Sequence, residues 1–184
     1  TDACNLRCTG CWAGDYKKRQ ELDFDLLDRV LTEGEELGIY FTVMSGGEPT
    51  VRKNDIIRLA EKHQDQTFLL FSNGTLVDDE FVRQMQRVGN VVIAFSLEGF
   101  EDSTDARRGE GVFRQVMEAM DRMRKAGLVY GTSVTYMKHN TEELASPEFV
   151  DMLIDKGVDF AWYFTYIPIG RDVDLSMMAT PEQR

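Results

Sequence analysis

Residues 67–96 read TFLLFSNGTLVDDEFVRQMQRVGNVVIAFS, and this stretch contains one complete strand–helix–strand pattern. Its two ends, TFLLFS and NVVIAFS, are short apolar runs of the kind that form buried strands. Between them, DDEFVRQMQRVG opens with acidic residues and closes with a glycine, as helices commonly do. Apolar strands joined by an amphipathic helix predict a parallel sheet with helices packed against it.

The same helix and strand patterns repeat along the rest of the chain. Four further helices are predicted, the second with Asn54 as its N-cap, at residues 24–38, 54–63, 111–127 and 146–157. Three further strands are predicted at residues 39–44, 129–137 and 160–170, and the first of them is expected to be buried. This alternation predicts an α/β fold, either an open doubly wound sheet or part of a βα barrel.

Glycines and small polar residues follow each predicted strand. The segments are SGGEPT, SNGT, SLEG, YMKHN and YIPIG. Any one of them is explained by turn chemistry alone. Both candidate architectures place their sites at the carboxyl ends of the strands, so five such segments at one rim predict a functional site there.

Composition excludes some classes of function. The chain has 184 residues, 42% hydrophobic and 29% charged, and its net charge of −11 argues against a nucleic-acid-binding surface. The basic groups at residues 16–19 and at Arg107 and Arg108 are interpreted as solvated faces or local anion contacts. No apolar run reaches the ~20 residues that a membrane span needs. The sequence starts inside a motif without Met, so we expect a segment excised from a longer protein.

Cysteine usage is confined to one loop near the start of the chain, at Cys4, Cys8 and Cys11. This is not a secreted disulfide framework, and a reducing cytoplasm is expected. A zinc site would need a fourth ligand, from His63 or His139, but His63 is interpreted as a helix-terminal cation and His139 as an exposed or hydrogen-bonded side chain. An iron–sulfur cube held by three thiolates leaves one iron open to a non-protein ligand, and ligand count favours it over zinc.

Two motifs resemble those of one enzyme family. CNLRCTGC is a C-x3-C-x2-C loop, and it resembles the cluster-binding signature of radical S-adenosylmethionine (radical SAM) enzymes. A second motif of that family, Gly-Gly-Glu, stands at Gly46, Gly47 and Glu48. The resemblance implies a partial (βα)6 TIM-like barrel whose strands two to six lie in this chain, the first strand preceding it.

The resemblance also implies cofactors. A [4Fe-4S] cluster would be held by Cys4, Cys8 and Cys11, and S-adenosyl-L-methionine would chelate its fourth iron through amino and carboxylate groups. The two glycines of the second motif would let the backbone approach this cofactor, and Glu48 would accept a hydrogen bond from the methionine ammonium. With an electron from an external flavodoxin- or ferredoxin-like donor, S-adenosylmethionine would be cleaved to methionine and a 5′-deoxyadenosyl radical.

Weaker implications concern the other strand ends. Arg108 resembles an arginine of peptide-modifying members and is a candidate partner of the cofactor's carboxylate. Other candidate contacts to the cofactor are polar residues at strand ends: Ser72, Asn73, Ser96, Glu98 and Ser133. Residues 166–170 are expected on the adenine side with Ser133. One departure is Gly10, where many members carry an aromatic residue, while Trp12 follows the third cysteine.

The substrate is the least defined part of the prediction. The segments CTGCWAG, SGGEP, SNGT and SLEG most resemble members related to peptide-modifying maturases, so a peptide is favoured over a small molecule. Radical addition in lipid biosynthesis is the next possibility. Residues 1–170 are expected to form the core and residues 171–184 to begin a linker or C-terminal extension. The alternative is a non-catalytic zinc or iron–sulfur scaffold or partner-binding module.

Overall fold

The computed structural model describes residues 1–14 and 21–184, which form one sheet of five parallel strands covered by helices. The strands are β1 (Phe41–Met44), β2 (Thr67–Ser72), β3 (Val91–Leu97), β4 (Tyr130–Tyr136) and β5 (Phe160–Thr165). Each strand pairs with the next one in the chain, so the spatial order is β1-β2-β3-β4-β5. A doubly wound sheet reverses its order at a switch point, whereas this one winds in one direction and curls into a half-barrel. The partial TIM-like barrel is therefore confirmed.

The described residues contain seven α-helices and two short 3-10 turns. The helices are α1 (Phe24–Glu36), α2 (Lys53–Lys62), α3 (Asp79–Val88), α4 (Glu101–Arg108), α5 (Val112–Lys125), α6 (Thr141–Leu144) and α7 (Pro147–Lys156). The turns span Pro49–Arg52 and Leu175–Met177. The five predicted helices are present. The sequence did not predict α4 or α6. Helix α4 is strongly polar and buries only Thr104, so it lacks an apolar period, and α6 has only 4 residues.

Helix ends follow the expected capping chemistry with one exception. Asp78 caps α3 by accepting the Phe81 N–H at 2.8 Å, and Gly89 ends that helix in the left-handed conformation. The prediction of Asn54 as an N-cap is wrong. The chain already turns at Pro49–Arg52, and the Glu48 side chain caps that turn, so α2 begins at Lys53.

The core lies between the sheet and the helices. Most of its largest fully buried side chains come from β2, β3, α3 and α5, and Tyr130 of β4, Phe149 of α7 and Leu59 of α2 complete the set. Those of the first four elements include Phe68, Leu70, Phe81, Met85, Ile93, Phe95, Met120 and Met123. The methionines of α5 fill this core, as expected from their spacing along one face of the helix. On the opposite, concave face of the sheet, Phe71, Ser96 and Ser133 line the cavity of the candidate site.

The two edge strands differ from their predictions. β1 was expected to be buried, but Phe41 and Val43 are 53% and 44% exposed, because β1 pairs in the sheet with β2 alone. β5 ends at Thr165 rather than at residue 170, since Pro168 has no N–H to donate and Gly170 has a φ of +88°.

The last residues contact the core. The Lys138 N–H donates to the Met177 carbonyl at 2.9 Å, and the Arg171 N–H donates to the Cys11 carbonyl at 3.0 Å. The domain boundary at residue 170 stays a prediction.

The basic group at residues 16–19 lies outside the residues that the structure describes. No helix in the described part of the chain combines the length and apolarity needed to cross a bilayer.

Candidate active site

A cavity of about 470 Å³ opens at the carboxyl ends of the strands, with the cysteine loop at its rim. Ten of the twelve sequence-predicted site residues line this cavity. They are Cys4, Cys8, Cys11, Gly46, Gly47, Glu48, Asn73, Ser96, Arg108 and Ser133. Ser72 and Glu98, the two exceptions, lie behind the wall of the cavity and contact residues that form it. The fold therefore gathers segments that are far apart in the sequence around one space.

The three cysteines are free thiols that border the same cavity. Cys8 is buried and Cys4 is exposed, while Cys11 is intermediate. Burial raises the pKa of the Cys8 thiol, and the positive charges of Arg108 and Arg107 act in the opposite direction. Burial likewise raises the pKa of Cys4, against the hydrogen bond that its sulfur accepts from the Leu6 N–H at 3.4 Å.

The donor set fits an iron–sulfur cube better than a single metal ion. Among residues 1–14 and 21–184, no three histidine, cysteine or acidic side chains converge as a site for one ion. In a cube each thiolate binds a different iron, so the thiols need not meet at one point. The described lining of the cavity also contains no histidine. His63 is instead buried at the end of α2, between Glu35 at 2.8 Å and Asp28 at 3.0 Å.

The glycines of the second motif allow a close backbone approach. A Cβ on Gly46 would lie 2.3 Å from the Thr1 carbonyl oxygen, and one on Gly47 would lie 2.3 Å from the Ala3 carbonyl oxygen. The Gly47 N–H donates to the Thr1 carbonyl at 2.8 Å. In this structure the group that approaches these glycines is the backbone just before the cysteine loop, so the two motifs are packed directly together.

Glu48 is a buried carboxylate held by neutral donors. One carboxylate oxygen accepts the Thr50 N–H at 2.9 Å and the Ser72 hydroxyl at 2.8 Å. The other oxygen accepts the Asn73 N–H at 2.7 Å. The Ser72 hydroxyl therefore orients Glu48 at the wall of the cavity, a partner that the sequence did not predict.

Asn73 connects the end of β2 to the cysteine loop. Its side-chain N–H donates to the Asn5 side-chain oxygen at 2.9 Å, and the Asn5 amide donates to the Thr75 hydroxyl at 2.7 Å. Asn5 and Thr75 were not among the predicted site residues. Their types alone did not distinguish them from ordinary loop residues.

Ser96 and Ser133 stand side by side on β3 and β4. They are partners in the strand register, and their hydroxyl oxygens are 3.5 Å apart. Both residues line the cavity, and their role as cofactor contacts stays a prediction.

Glu98 is fully buried and pairs with both Arg107 and Arg108. Burial by itself would raise the pKa of this carboxyl, but the two guanidinium groups outweigh burial and hold the pKa below its ordinary value. The interpretation of these arginines as solvated is wrong, because their side chains are 9% and 11% exposed. The alternative interpretation, a local anion contact, is confirmed, and the anion is Glu98.

Comparison with known proteins agrees with this geometry. The sequence profile of the Radical SAM superfamily matches residues 1–153. The chain belongs to the radical SAM superfamily. It is 27% identical over 176 residues to the Fe-coproporphyrin III synthase of Methanosarcina barkeri, covering 93% of this chain and 43% of that protein. It is 29% identical over 150 residues to the mycofactocin maturase MftC of Mycolicibacterium smegmatis, covering 78% of this chain and 38% of the maturase.

Solved structures share the fold. Native anSMEcpe with bound AdoMet superposes with a TM-score of 0.81 at 17% identity, covering 100% of this chain and 54% of the other. Streptococcus suis SuiB bound to precursor peptide SuiA superposes with a TM-score of 0.75 at 20% identity, covering 89% of this chain and 37% of SuiB. This radical SAM chain spans about half the length or less of the curated relatives it matches.

The superfamily determines the cofactors. Radical SAM enzymes use a [4Fe-4S] cluster and S-adenosylmethionine, and both are cofactors of this chain. The free thiols, the buried Glu48 and the cationic Arg108 at one cavity agree with that requirement.

Aromatic side chains of β2, β5 and the segment after β5, namely Phe71, Phe164 and Tyr166, line the radical SAM cavity. Phe71 makes edge contacts with Trp162 and Phe164, at 5.4 and 5.6 Å between ring centroids. A Cβ on Gly10 would lie 2.8 Å from the Tyr166 ring, so Tyr166 occupies the space beside this glycine. The sequence departure at Gly10 therefore has a packing reason.

Proposed function

We propose that this chain is the catalytic core of an enzyme that generates a 5′-deoxyadenosyl radical and uses it to abstract hydrogen from a peptide. The observation that carries the proposal is the single cavity shared by the cysteine loop, Glu48 and Arg108. Residues 1–170 would form this core. Three free thiols suit a reducing compartment, so the proposed setting is the cytoplasm.

The cofactors supply the bond-breaking chemistry. When bound, the cluster and S-adenosylmethionine would supply a one-electron reductive cleavage of the sulfonium carbon–sulfur bond, giving methionine and the 5′-deoxyadenosyl radical. The radical takes a hydrogen atom from the substrate, which leaves 5′-deoxyadenosine and a substrate radical. The electron comes from an external one-electron donor of the flavodoxin or ferredoxin class.

The protein's own residues hold and orient these partners. Cys4, Cys8 and Cys11 would each bind one iron. Glu48 presents a negative charge suited to the ammonium of S-adenosylmethionine, and Arg108 a positive charge suited to its carboxylate. Phe71, Phe164 and Tyr166 supply the aromatic part of the cavity lining and would limit the access of water to the reacting centre.

A peptide substrate is supported by the maturases among the relatives and by the structural likeness to SuiB with its precursor peptide. A tetrapyrrole is the second candidate, because the Fe-coproporphyrin III synthase and an AdoMet-dependent heme synthase each match over 93% of this chain. Titration with coproporphyrin III distinguishes the two. A saturable shift of the porphyrin absorption band would favour the tetrapyrrole, and its absence would favour the peptide.

The enzymatic proposal is tested by anaerobic reconstitution with iron and sulfide. With dithionite as the reductant, we expect S-adenosylmethionine to yield 5′-deoxyadenosine, measured by mass spectrometry. The Cys8→Ala variant is the matched negative control. Protein that binds about four irons and yet forms no 5′-deoxyadenosine would contradict the proposal, and zinc as the native metal would favour the scaffold alternative.

A further inference from the structure

Arg107 lies between the cysteine loop and the buried Glu98. Its side chain is 9% exposed and forms an ion pair with Glu98, which is fully buried. Its neighbour Arg108 forms hydrogen bonds to both oxygens of the same carboxylate. One carboxylate and two guanidiniums leave one net positive charge, so Glu98 alone does not neutralise both arginines.

The backbone of the cysteine loop takes the remaining contacts of Arg107. The Arg107 Nε–H donates to the Thr9 carbonyl at 3.1 Å, and a terminal N–H reaches the Gly10 carbonyl at 3.4 Å. In return, the Thr9 N–H donates to the Arg107 carbonyl at 2.9 Å. Thr9 is therefore held at both its N–H and its C=O.

Thr9 and Gly10 are the two residues that separate Cys8 from Cys11. Fixing their backbone sets how far apart these two thiols stand and in which direction they point. The first half of the loop is held separately, through Asn5, Asn73 and Thr75. The Arg171 N–H holds the Cys11 carbonyl, and Arg107 supplies the attachment between the second and third cysteines.

We propose that Arg107 is a positioning residue that clamps the backbone between Cys8 and Cys11 so that both thiolates bind one cluster. The role requires arginine, because its planar fork donates to the Glu98 carboxylate and to loop carbonyls at the same time. A lysine ammonium is a single point charge on a flexible chain, and it cannot reproduce that geometry. The inference rests on the cluster being held by this loop.

The test compares wild-type protein with Arg107→Ala and Arg107→Lys after anaerobic reconstitution. Arg83→Ala is the matched control, since the Arg83 side chain is 64% exposed. One readout is the rate at which iron is lost to a chelator such as ferrozine. The other is the electron paramagnetic resonance spectrum of the reduced cluster, with and without S-adenosylmethionine.

We expect Arg107→Ala to lose iron about 10-fold faster than wild type or more, the size typical of residues that orient metal ligands. Its reduced spectrum should also change, because the thiolates bind in an altered arrangement. Arg107→Lys should resemble Arg107→Ala, and Arg83→Ala should resemble wild type. Iron loss and spectra equal to wild type in Arg107→Ala would overturn the proposal, as would full rescue by Arg107→Lys, which would assign the effect to charge alone.

A second pair of variants removes one contact of the clamp from the loop side, the Thr9 N–H bond to the Arg107 carbonyl, and keeps the Arg107 and Glu98 side chains intact. Thr9→Pro removes the N–H that donates to Arg107, whereas Thr9→Ala keeps it. We expect faster iron loss in Thr9→Pro only, and equal rates in the two variants would overturn the clamp even if Arg107→Ala does not fold. Wild-type protein that assembles no cluster would overturn both this inference and the proposed function. A wild type that assembles the cluster while all variants match it would overturn the inference alone.

Discussion

Two buried glutamates, each just past the carboxyl end of a strand in the same sheet, have opposite electrostatic surroundings. Glu48 follows β1 and is 1% exposed, while Glu98 follows β3 and is fully buried. Glu48 accepts hydrogen bonds from Thr50, Ser72 and Asn73, all of them neutral donors. Glu98 is paired with two arginines.

The difference shows that residue type alone does not determine what a carboxylate does at this rim. Neutral donors orient Glu48 and leave its negative charge at the cavity wall. Around Glu98, two guanidiniums outweigh the single carboxylate, so that side of the cavity is positive. A zwitterionic amino-acid group, with an ammonium and a carboxylate, matches such a pair of oppositely charged sides.

The largest expected effect comes from neutralising Glu98. Glu98→Gln leaves two buried guanidiniums without their counter-ion, and we expect a loss of about 3–5 kcal/mol in the free energy of unfolding. Urea unfolding of the apo protein at neutral pH measures it. Glu110→Gln, at an exposed position, is the control and should stay within about 0.5 kcal/mol of wild type. Equal stability of the two variants would contradict the ion-pair description.

Neutralising Glu48 should act mainly on ligand binding. In Glu48→Gln the charge-assisted hydrogen bond to the ammonium is lost, which is worth about 1.5–3 kcal/mol, or roughly 10- to 100-fold in affinity. Equilibrium binding of S-adenosylmethionine to the anaerobically reconstituted protein tests this, with unchanged iron content as the control. An affinity within about twofold of wild type would remove Glu48 from the binding site.

Acid should destabilise the protein partly through Glu98. Because the folded-state pKa of Glu98 lies below its ordinary value of 4.5, its contribution is complete above that pH and is lost as pH falls toward the folded-state pKa. Protonation of a single carboxylate changes the unfolding free energy by at most about 1.4 kcal/mol per pH unit. Urea unfolding from pH 7 downward should therefore show a shallower decline for Glu98→Gln than for wild type. Parallel profiles would contradict the depressed pKa.

The smallest effect is expected from Ser72→Ala. This change removes one of the four hydrogen bonds to Glu48, and it also removes the acceptor of the Gly74 N–H, which bonds to the Ser72 hydroxyl at 3.0 Å. Because the donors of both lost bonds are neutral and Glu48 keeps its three other hydrogen bonds, we expect a loss of about 1 kcal/mol in unfolding free energy. Affinity for S-adenosylmethionine should fall less than in Glu48→Gln. A larger loss of affinity than in Glu48→Gln would mean that Ser72 contacts the cofactor directly.

The sequence located the site better than it described the contacts within it. Cys4, Cys8, Cys11 and the Gly-Gly-Glu motif were recognised because spacing along the chain carries their chemistry. By contrast, Ser72 and its hydrogen-bond partner Glu48 are 24 residues apart along the chain, and Thr9 and Arg107 are 98 residues apart. Contacts of this kind depend on which strands are neighbours, and no local pattern encodes them.

The sequence by itself determined the alternation of strands and helices, the rim where the polar segments collect and the cysteine motif, because periodicity and capping are local properties. Only the tertiary structure decided the order of the strands, and with it a singly wound half-barrel over a doubly wound sheet. It also decided that Glu98 lies behind the wall of the cavity while Glu48 forms part of it. The physical reason is that pairing and burial depend on contacts between distant segments, and each buried charge takes the partners that the assembled sheet brings within reach.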